Sequence, residues 1–121
     1  MIFRNRVYVG VSSSEESLAV TTPGYHLSFR GTIAALDLAT GDVIWSVRTV
    51  PEGYTSAGVW SSGFAVDRVR GSLYIGTGNN YSVPDDVAQC MQQTPDIATQ
   101  ATCLAPDDYV DSVLSLDLAT G

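Results

Sequence analysis

Two cysteines and a single histidine are the side chains of this sequence best able to form covalent or metal bonds. A disulfide between Cys90 and Cys103 would close a loop of about fourteen residues. By restricting the unfolded chain, it would stabilise the fold by about 3 kcal/mol. Such bonds persist in exported proteins. We expect a disulfide in an exported protein, with free thiols as the alternative. A zinc site would need more ligands than these two thiols and the distant His26 supply.

Acidic side chains outnumber basic ones. Thirteen Asp and Glu stand against six Arg and no Lys, which gives a formal charge of −7 and a pI near 4.2. Nucleic-acid binding needs a basic stripe and docking on an anionic membrane needs basic clusters, so this balance argues against both partners. No apolar run reaches the length of a membrane span. The 45% hydrophobic content predicts an ordered chain.

The first residues predict no secretory leader. Residues 1–6 run directly into the apolar segment 7–9, without a long apolar core or a small-residue cleavage site. Two explanations are open at this stage: a cytoplasmic protein, or a chain that begins partway through a longer one.

An internal repeat is the strongest pattern in the sequence. The hexapeptide LDLATG at 36–41 recurs unchanged at 116–121, an offset of 80 residues, and the segment 7–10 has a looser echo at 73–76, an offset of 66. An insertion in the second copy at about 84–108, which contains both cysteines, accounts for the difference. Without it the unit has the size of a propeller-blade repeat.

The local pattern within each unit is β. Short runs rich in β-branched and aromatic residues, closed by turn residues, predict about six strands. These strands are 6–9, 32–37, 42–47, 64–67, 72–75 and 112–117. No apolar period of 3.6 runs for three turns, so we predict no helix, except that the insertion could hide one helical turn.

These elements predict an all-β fold, a partial β-propeller that spans residues 1–121. A blade needs four strands and a ring needs at least four blades, so six strands make only about one and a half blades. Repeat units cannot bury their faces alone, and open strand edges pair with other chains. We therefore expect either a fragment of a larger propeller or an oligomer that completes one. A sequence that ends within a turn favours the fragment.

The segment 35–45 has the form A-x-D-x-x-T-G-x-x-x-W. It resembles the tryptophan-docking motif of quinoprotein propellers, which bind pyrroloquinoline quinone. The resemblance implies that Trp45 packs against the neighbouring blade, while Asp37, Thr40 and Gly41 hold the turn through hydrogen bonds. The motif is specific for the fold and not for activity, because non-enzymatic propellers carry it too.

Further segments resemble the cofactor-bearing quinoproteins, and among them the polyvinyl-alcohol dehydrogenase-like proteins. They are 9–16, 25–32, 58–62 and 74–81. In that family a serine-rich turn supplies a quinone contact and a calcium-ligating glutamate. These roles fall on Ser12 and on Glu15, with Glu16 as the alternative because the register of the turn is open.

The same resemblance assigns two further positions. The tryptophan on which the planar quinone stacks falls on Trp60, and a second calcium ligand falls on Asn79, with Asn80 next to it. Calcium takes carboxylate and amide oxygens, and it would act as a Lewis acid on the quinone. Arg30 is a candidate to bind a carbonyl or a carboxylate of the cofactor. The expected cofactors are therefore pyrroloquinoline quinone and Ca²⁺.

Each assignment has a structural alternative. The glutamates could be solvated loop carboxylates, Trp60 a core residue, and Asn79 a turn residue in the left-handed region. His26 is expected to be a loop or packing residue.

Several parts of such an active site have no counterpart in the sequence. The family's catalytic aspartate lies on a later blade, and the aspartates in or beside the insertion do not match its motif. No Cys-x-x-Cys-His run is present, so no covalent haem is expected.

We therefore weigh two main functions. The first is a piece of a calcium- and quinone-dependent alcohol dehydrogenase of a periplasmic parent protein, with a cytochrome as a possible electron acceptor and the remaining blades as partners. The second is a non-catalytic binding scaffold, in one version a homo-oligomer that binds glycans or polymers. For the isolated chain we expect cofactor affinity at most, and little turnover.

Overall fold

Nine strands form the framework of the computed structural model, which describes residues 1–60 and 63–121. The strands are β1 Ile2–Phe3, β2 Arg6–Val11, β3 Thr32–Asp37, β4 Val43–Arg48, β5 Thr55–Ser56, β6 Ala65–Asp67, β7 Ser72–Gly76, β8 Asn80–Ser82 and β9 Val113–Asp117. The helical elements are α1 Glu15–Thr21, α2 Asp85–Gln93, α3 Ile97–Gln100 and a 3₁₀ turn at Ala101–Cys103.

The strands form two blade-like antiparallel sheets and one short pair. The first sheet has the order β1-β2-β3-β4, the second has the order β6-β7-β9, and β5 pairs with β8. The repeat in the sequence is also a repeat in register. Arg6 is paired with Asp37 in the first sheet, and Ser72 is paired with Asp117 at the equivalent place in the second. The architecture is that of a partial propeller, as the repeat predicted.

The main hydrophobic core lies between the two sheets. Period-two alternation turns one side chain in two toward it, which buries Tyr8 on β2, Ile33 on β3, and both Leu73 and Ile75 on β7. A second cluster forms around Tyr54 and is covered by the insertion. The backbone N–H of Ala105 donates to the Tyr54 hydroxyl at 3.1 Å, which ties the insertion to that cluster.

The prediction of six strands was wrong in number, since nine are present among the described residues. The three that were missed, β1, β5 and β8, contain only two or three residues each, too few for an alternating pattern to be recognised.

The prediction of no helix was also wrong, and the insertion holds more than one helical turn. Helix α1 has seven residues and α2 has nine, so neither is long enough to show three periods. Local chemistry still favours α2, because Pro84 precedes it and Asp85 and Asp86 occupy its first turn, next to the positive end of the helix dipole.

The insertion is closed by a disulfide between Cys90 on α2 and Cys103 in the 3₁₀ turn, with the Cα atoms 5.9 Å apart. Within residues 1–60 and 63–121, no helix has both the length and the apolar character needed to cross a bilayer.

Candidate functional site

The sheets present two ends with different character. At the end that we call the turn end, tight turns connect β1 to β2, β3 to β4 and β6 to β7, and the last residues 118–121 turn back there. The opposite end, the loop end, carries the longer connections 12–31, 49–60 and 77–112. The length of β2 separates the two ends by about 17–20 Å, at a rise of about 3.3 Å per residue.

Three loop-end segments are joined by backbone hydrogen bonds. Val59 N–H donates to the carbonyl of Val11 at 3.1 Å, and Gly78 N–H donates to the carbonyl of Gly58 at 3.0 Å. Ala57 N–H donates to the carbonyl of Asn79 at 2.9 Å. The serine-rich turn, the segment that carries Trp60 and the turn that carries Asn79 are therefore held side by side, although they are far apart in sequence.

A cavity of about 370 Å³ lies where these segments meet. Three residues of the predicted site line it: Ser12, Glu16 and Trp60. Tyr81, for which no role was predicted, also lines it. Trp60 is 54% exposed, an unusual condition for a tryptophan, and it is therefore free to stack on a planar ligand. Its serine neighbours at 61 and 62 lie outside the described residues.

Two glycines allow this close packing. A Cβ atom at Gly78 would lie 3.2 Å from the Trp60 indole nitrogen, and one at Gly58 would lie 3.2 Å from the Cβ of Ser12. A side chain at Gly78 would displace Trp60 slightly, and one at Gly58 would displace the serine-rich turn slightly.

A second cavity of about 260 Å³ adjoins the first and shares Glu16 and Tyr81 with it. Asn79 and Asn80 line this second cavity. Glu16 thus lines one cavity together with Trp60 and the other together with Asn79. Its carboxylate and the Asn79 amide border the same cavity.

Glu15 and Glu16 have different surroundings although they are adjacent. The Glu15 carboxylate accepts hydrogen bonds from Ser28 N–H at 2.8 Å, Phe29 N–H at 2.9 Å and the Ser28 hydroxyl at 2.9 Å. The Ser28 and Phe29 N–H groups lower the pKa of Glu15, because they stabilise the ionised form. Glu15 therefore anchors the 28–29 loop, while Glu16 is exposed and lines both cavities.

Arg30 and His26 lie outside both cavity walls. The Arg30 guanidinium donates from Nη2 at 2.7 Å and from Nε at 3.2 Å to the carbonyl of Val50, so it already binds a carbonyl of the chain itself. His26 is exposed in the loop before β3. The predicted cofactor contact of Arg30 stays a prediction.

The docking-motif residues lie at the turn end. Asp37 Oδ1 accepts from the N–H groups of Ala39 at 2.8 Å and Thr40 at 3.0 Å, and Gly41 follows with φ of +79°. These backbone donors, Thr40 first, lower the pKa of Asp37. The second copy of the motif repeats this geometry at Asp117, whose pKa is also lowered by backbone N–H donors.

Trp45 joins the two sheets. It is only 8% exposed, packs on Tyr8 with ring centroids 5.9 Å apart, and directs its indole N–H at the carbonyl of Leu118 at 3.4 Å. A Cβ atom at Gly121 would lie 3.0 Å from its ring. The tryptophan of the first sheet thus packs against the final turn of the second.

The loop-end cavities offer oxygen ligands of the type that calcium prefers, but fewer of them than calcium requires. Glu16 offers a carboxylate and Asn79 an amide oxygen, both ligands of a hard cation, but calcium takes six to eight oxygens. Among residues 1–60 and 63–121 no cluster of three or more His, Cys, Asp or Glu is placed to hold a metal ion. The residues described fit part of a calcium site.

The insertion contributes one further polar pair beside the asparagine turn. Asn80 Nδ2 donates to Asp108 Oδ2 at 2.7 Å, while Oδ1 of each side chain is buried without a hydrogen-bond partner in the described structure. Burial is the main cause of the raised pKa of Asp108. No local pattern predicts this pair, because its members are 28 residues apart in unrelated segments.

Comparison with known proteins identifies relatives of this chain. No family model matches the sequence. A polyvinylalcohol dehydrogenase of Sphingopyxis sp. (strain 113P3) is 29% identical over 126 residues, which cover 88% of this chain and 19% of that protein. A polyvinylalcohol dehydrogenase of Pseudomonas sp. is 27% identical over 92 residues, which cover 64% of this chain and 14% of that protein. The chain spans about a fifth of the length of these relatives or less.

Among solved structures, the fold is similar to part of a quinohemoprotein alcohol dehydrogenase from Pseudomonas putida HK5. The TM-score is 0.59 at 21% identity, over 99% of this chain and 18% of that one. The two comparisons confirm the resemblance to quinoprotein propellers and the partial-propeller architecture.

Proposed function

We propose that this chain supplies part of the cofactor-binding surface of a quinone- and calcium-dependent alcohol dehydrogenase. One observation carries the proposal: Ser12 and Glu16 of the serine-rich turn line one cavity with Trp60, which is distant in sequence, and Asn79 lines the next. Similarity to two polyvinylalcohol dehydrogenases supports the same function, because their name describes enzymes that oxidise an alcohol.

Each residue has a distinct task in this proposal. The exposed face of Trp60 orients a planar quinone by stacking, and the hydroxyl of Ser12 donates a hydrogen bond to its rim. Glu16 and Asn79 supply two oxygen ligands for calcium. When bound, the calcium-polarised quinone supplies a hydride acceptor for an alcohol carbon, with electrons passing on to an acceptor such as a cytochrome.

The anchoring of Glu15 favours Glu16 as the metal ligand. The Glu15 carboxylate already accepts three hydrogen bonds and keeps about one lone-pair site for a cation, whereas Glu16 accepts none among the described hydrogen bonds. Glu15 then positions the loop behind the site.

We also propose that further strands complete the second sheet. β9 pairs with β7 on one side, and its other edge has no strand within the described residues, where the first sheet has β4. The remaining blades of a longer chain or another copy of this chain are the candidate partners. The disulfide supports an oxidising compartment, such as the periplasm, for the parent protein.

A titration of the purified chain with pyrroloquinoline quinone, with and without Ca²⁺, tests the cofactor proposal. Quinone retained after gel filtration, measured by absorbance, gives binding, and tryptophan fluorescence reports on Trp60. Particle mass in the same samples reports self-association. We expect saturable, calcium-dependent retention and quenching, with quenching lost in Trp60→Phe.

Matched glutamate variants locate the calcium ligand. Glu16→Gln should remove the calcium dependence, while Glu52→Gln, an equal change at an exposed site outside both cavities, should leave it unchanged. A folded chain that retains no quinone, or equal losses in the two variants, would favour the scaffold function instead.

A further inference from the structure

The turn end has a cavity of its own, far from the proposed cofactor surface. It measures about 280 Å³ and is lined by Phe3, Arg4, Arg6, Tyr8 and Leu118, among others. We call it the basic cavity. Its floor is apolar and two of the six arginines of this acidic chain line it.

A third arginine, from the other sheet, lies over the Phe3 ring, although it is not itself part of the cavity wall. The guanidinium carbons of Arg4 and Arg68 each lie 5.3 Å from the centroid of the Phe3 ring. Arg4 comes from the β1–β2 turn and Arg68 from the β6–β7 turn, so tertiary folding brings the two cations onto one ring. Stacking on an aromatic ring holds each guanidinium in a defined orientation.

Arg4 and Arg68 form no ion pair in the part of the chain that the structure describes, where the single ion pair joins Arg70 to Asp67 at 2.7 Å. The carboxylates beside the basic cavity, Asp37 and Asp117, are already engaged by the backbone N–H groups of their own turns. Asp117 still attracts Arg6, but Arg4 and Arg68 meet on one ring without an ion-pair partner, and gathering like charges in this way is unfavourable.

The backbone also adopts an uncommon conformation here. Arg4 has φ of +54° at the first position of a two-residue hairpin loop, where glycine, asparagine or aspartate is usual. Arg6 is held at the rear of the cavity by a hydrogen bond to the carbonyl of Leu118, which Tyr8 also binds at 3.1 Å. Arg6 is thus held in the cavity wall by a hydrogen bond, and Arg4 and Arg68 are held on the Phe3 ring.

We propose that the basic cavity binds a small organic anion that joins a carboxylate to a compact apolar body. Guanidinium groups match a carboxylate through paired N–H donors, and the side chains of Phe3 and Leu118 cover hydrocarbon. This site is independent of the quinone proposal, because it lies at the opposite end of β2.

Binding of benzoate, followed by amide chemical shifts of the intact chain, tests the proposal. We expect shifts at 3–6 and 118–119 and none at 12–16. Benzamide, which lacks the charge, and acetate, which lacks the apolar body, should each bind about tenfold more weakly or worse.

Four arginine variants provide the matched comparison. Arg4→Gln and Arg68→Gln should each weaken benzoate binding by about tenfold, and Arg68→Lys should recover only part of the loss because ammonium lacks the planar fork. Arg70→Gln removes the same charge outside the cavity and should have little effect. Equal binding of benzamide, an equal loss in Arg70→Gln, or shifts confined to 12–16 would overturn the proposal.

Discussion

The two ends of the sheets use similar polar residues in opposite ways. At the turn end, Asp37, Asp67 and Asp117 each accept two backbone N–H groups of their own turn. At the loop end, Glu16 is exposed, and Asn80 and Asp108 each keep a buried oxygen without a partner in the described structure. The turn-end carboxylates fix the chain, as Glu15 does at the loop end, whereas Glu16 leaves its carboxylate available to a ligand.

The two tryptophans follow the same division. Trp45 fills the space between the sheets, and Trp60 leaves more than half of its surface to solvent. The fold therefore uses one tryptophan for packing between the sheets and leaves the other available for binding.

The largest expected effect comes from breaking the turn-end side of this comparison. Trp45→Ala should lower the free energy of unfolding by about 3–5 kcal/mol, because it empties a buried site between the sheets. Trp60→Ala should change it by less than about 1 kcal/mol, because the side chain is largely exposed. Urea unfolding followed by far-ultraviolet circular dichroism measures both. A larger loss for Trp60→Ala would contradict the division of roles.

Replacing both Cys90 and Cys103 by Ser is the next largest change. The closed loop of about fourteen residues predicts a loss of about 3 kcal/mol or less, since the constraint acts on the insertion. Amide exchange should show the loss of protection in α2 and in the Tyr54 cluster, with β2 and β3 unchanged. Equal loosening of β2 would mean that the insertion supports the whole fold.

The repeat explains how much of the fold could be predicted. The hexapeptide at 36–41 and 116–121 predicted a repeated blade-like unit, and Thr32–Asp37 was predicted with the bounds that β3 has. The short strands and helices could not be predicted in the same way. Helix α1 depends on tertiary contacts such as the bonds from Ser28 and Phe29 to Glu15, which no local pattern records.

The candidate site was predictable only as a set of separate motifs. Resemblance named Ser12, Trp60 and Asn79, and the structure brings their segments together through backbone bonds between loops. The resemblance left the choice between Glu15 and Glu16 open, because the two are identical neighbours in sequence. Only the folded structure shows that Ser28 and Phe29 bind Glu15. Tyr81 lies in a segment of resemblance that assigned it no role, and the turn-end arginines belong to no motif, so only their tertiary positions reveal them.

Acid should affect the two adjacent glutamates differently. The pKa of Glu15 is lowered in the folded chain, so its contribution to stability is complete above the unfolded value of about 4.3 and is lost as the pH falls through the folded value. Glu15→Gln should therefore be less stable than the parent chain at neutral pH, with a difference that shrinks below about pH 4. Glu16→Gln should keep the parent profile. Denaturant midpoints from acidic to neutral pH measure this, and identical profiles for the two variants would contradict the anchoring role.

Asp108 should show the opposite sign and the smallest effect. Its pKa is raised by burial, so the ionised carboxylate opposes folding above its unfolded pKa of about 3.9, and this cost is relieved as the pH falls through the raised folded value. Asp108→Asn keeps an acceptor for Asn80 and should raise stability at neutral pH by less than about 1 kcal/mol, because the group is only partly buried and solvent screens it. The gain should disappear at acidic pH. Asp111→Asn, an equal change of charge at an exposed site, is the control. A loss of stability confined to Asp108→Asn would show that the carboxylate fixes the loop end as its counterparts fix the turns.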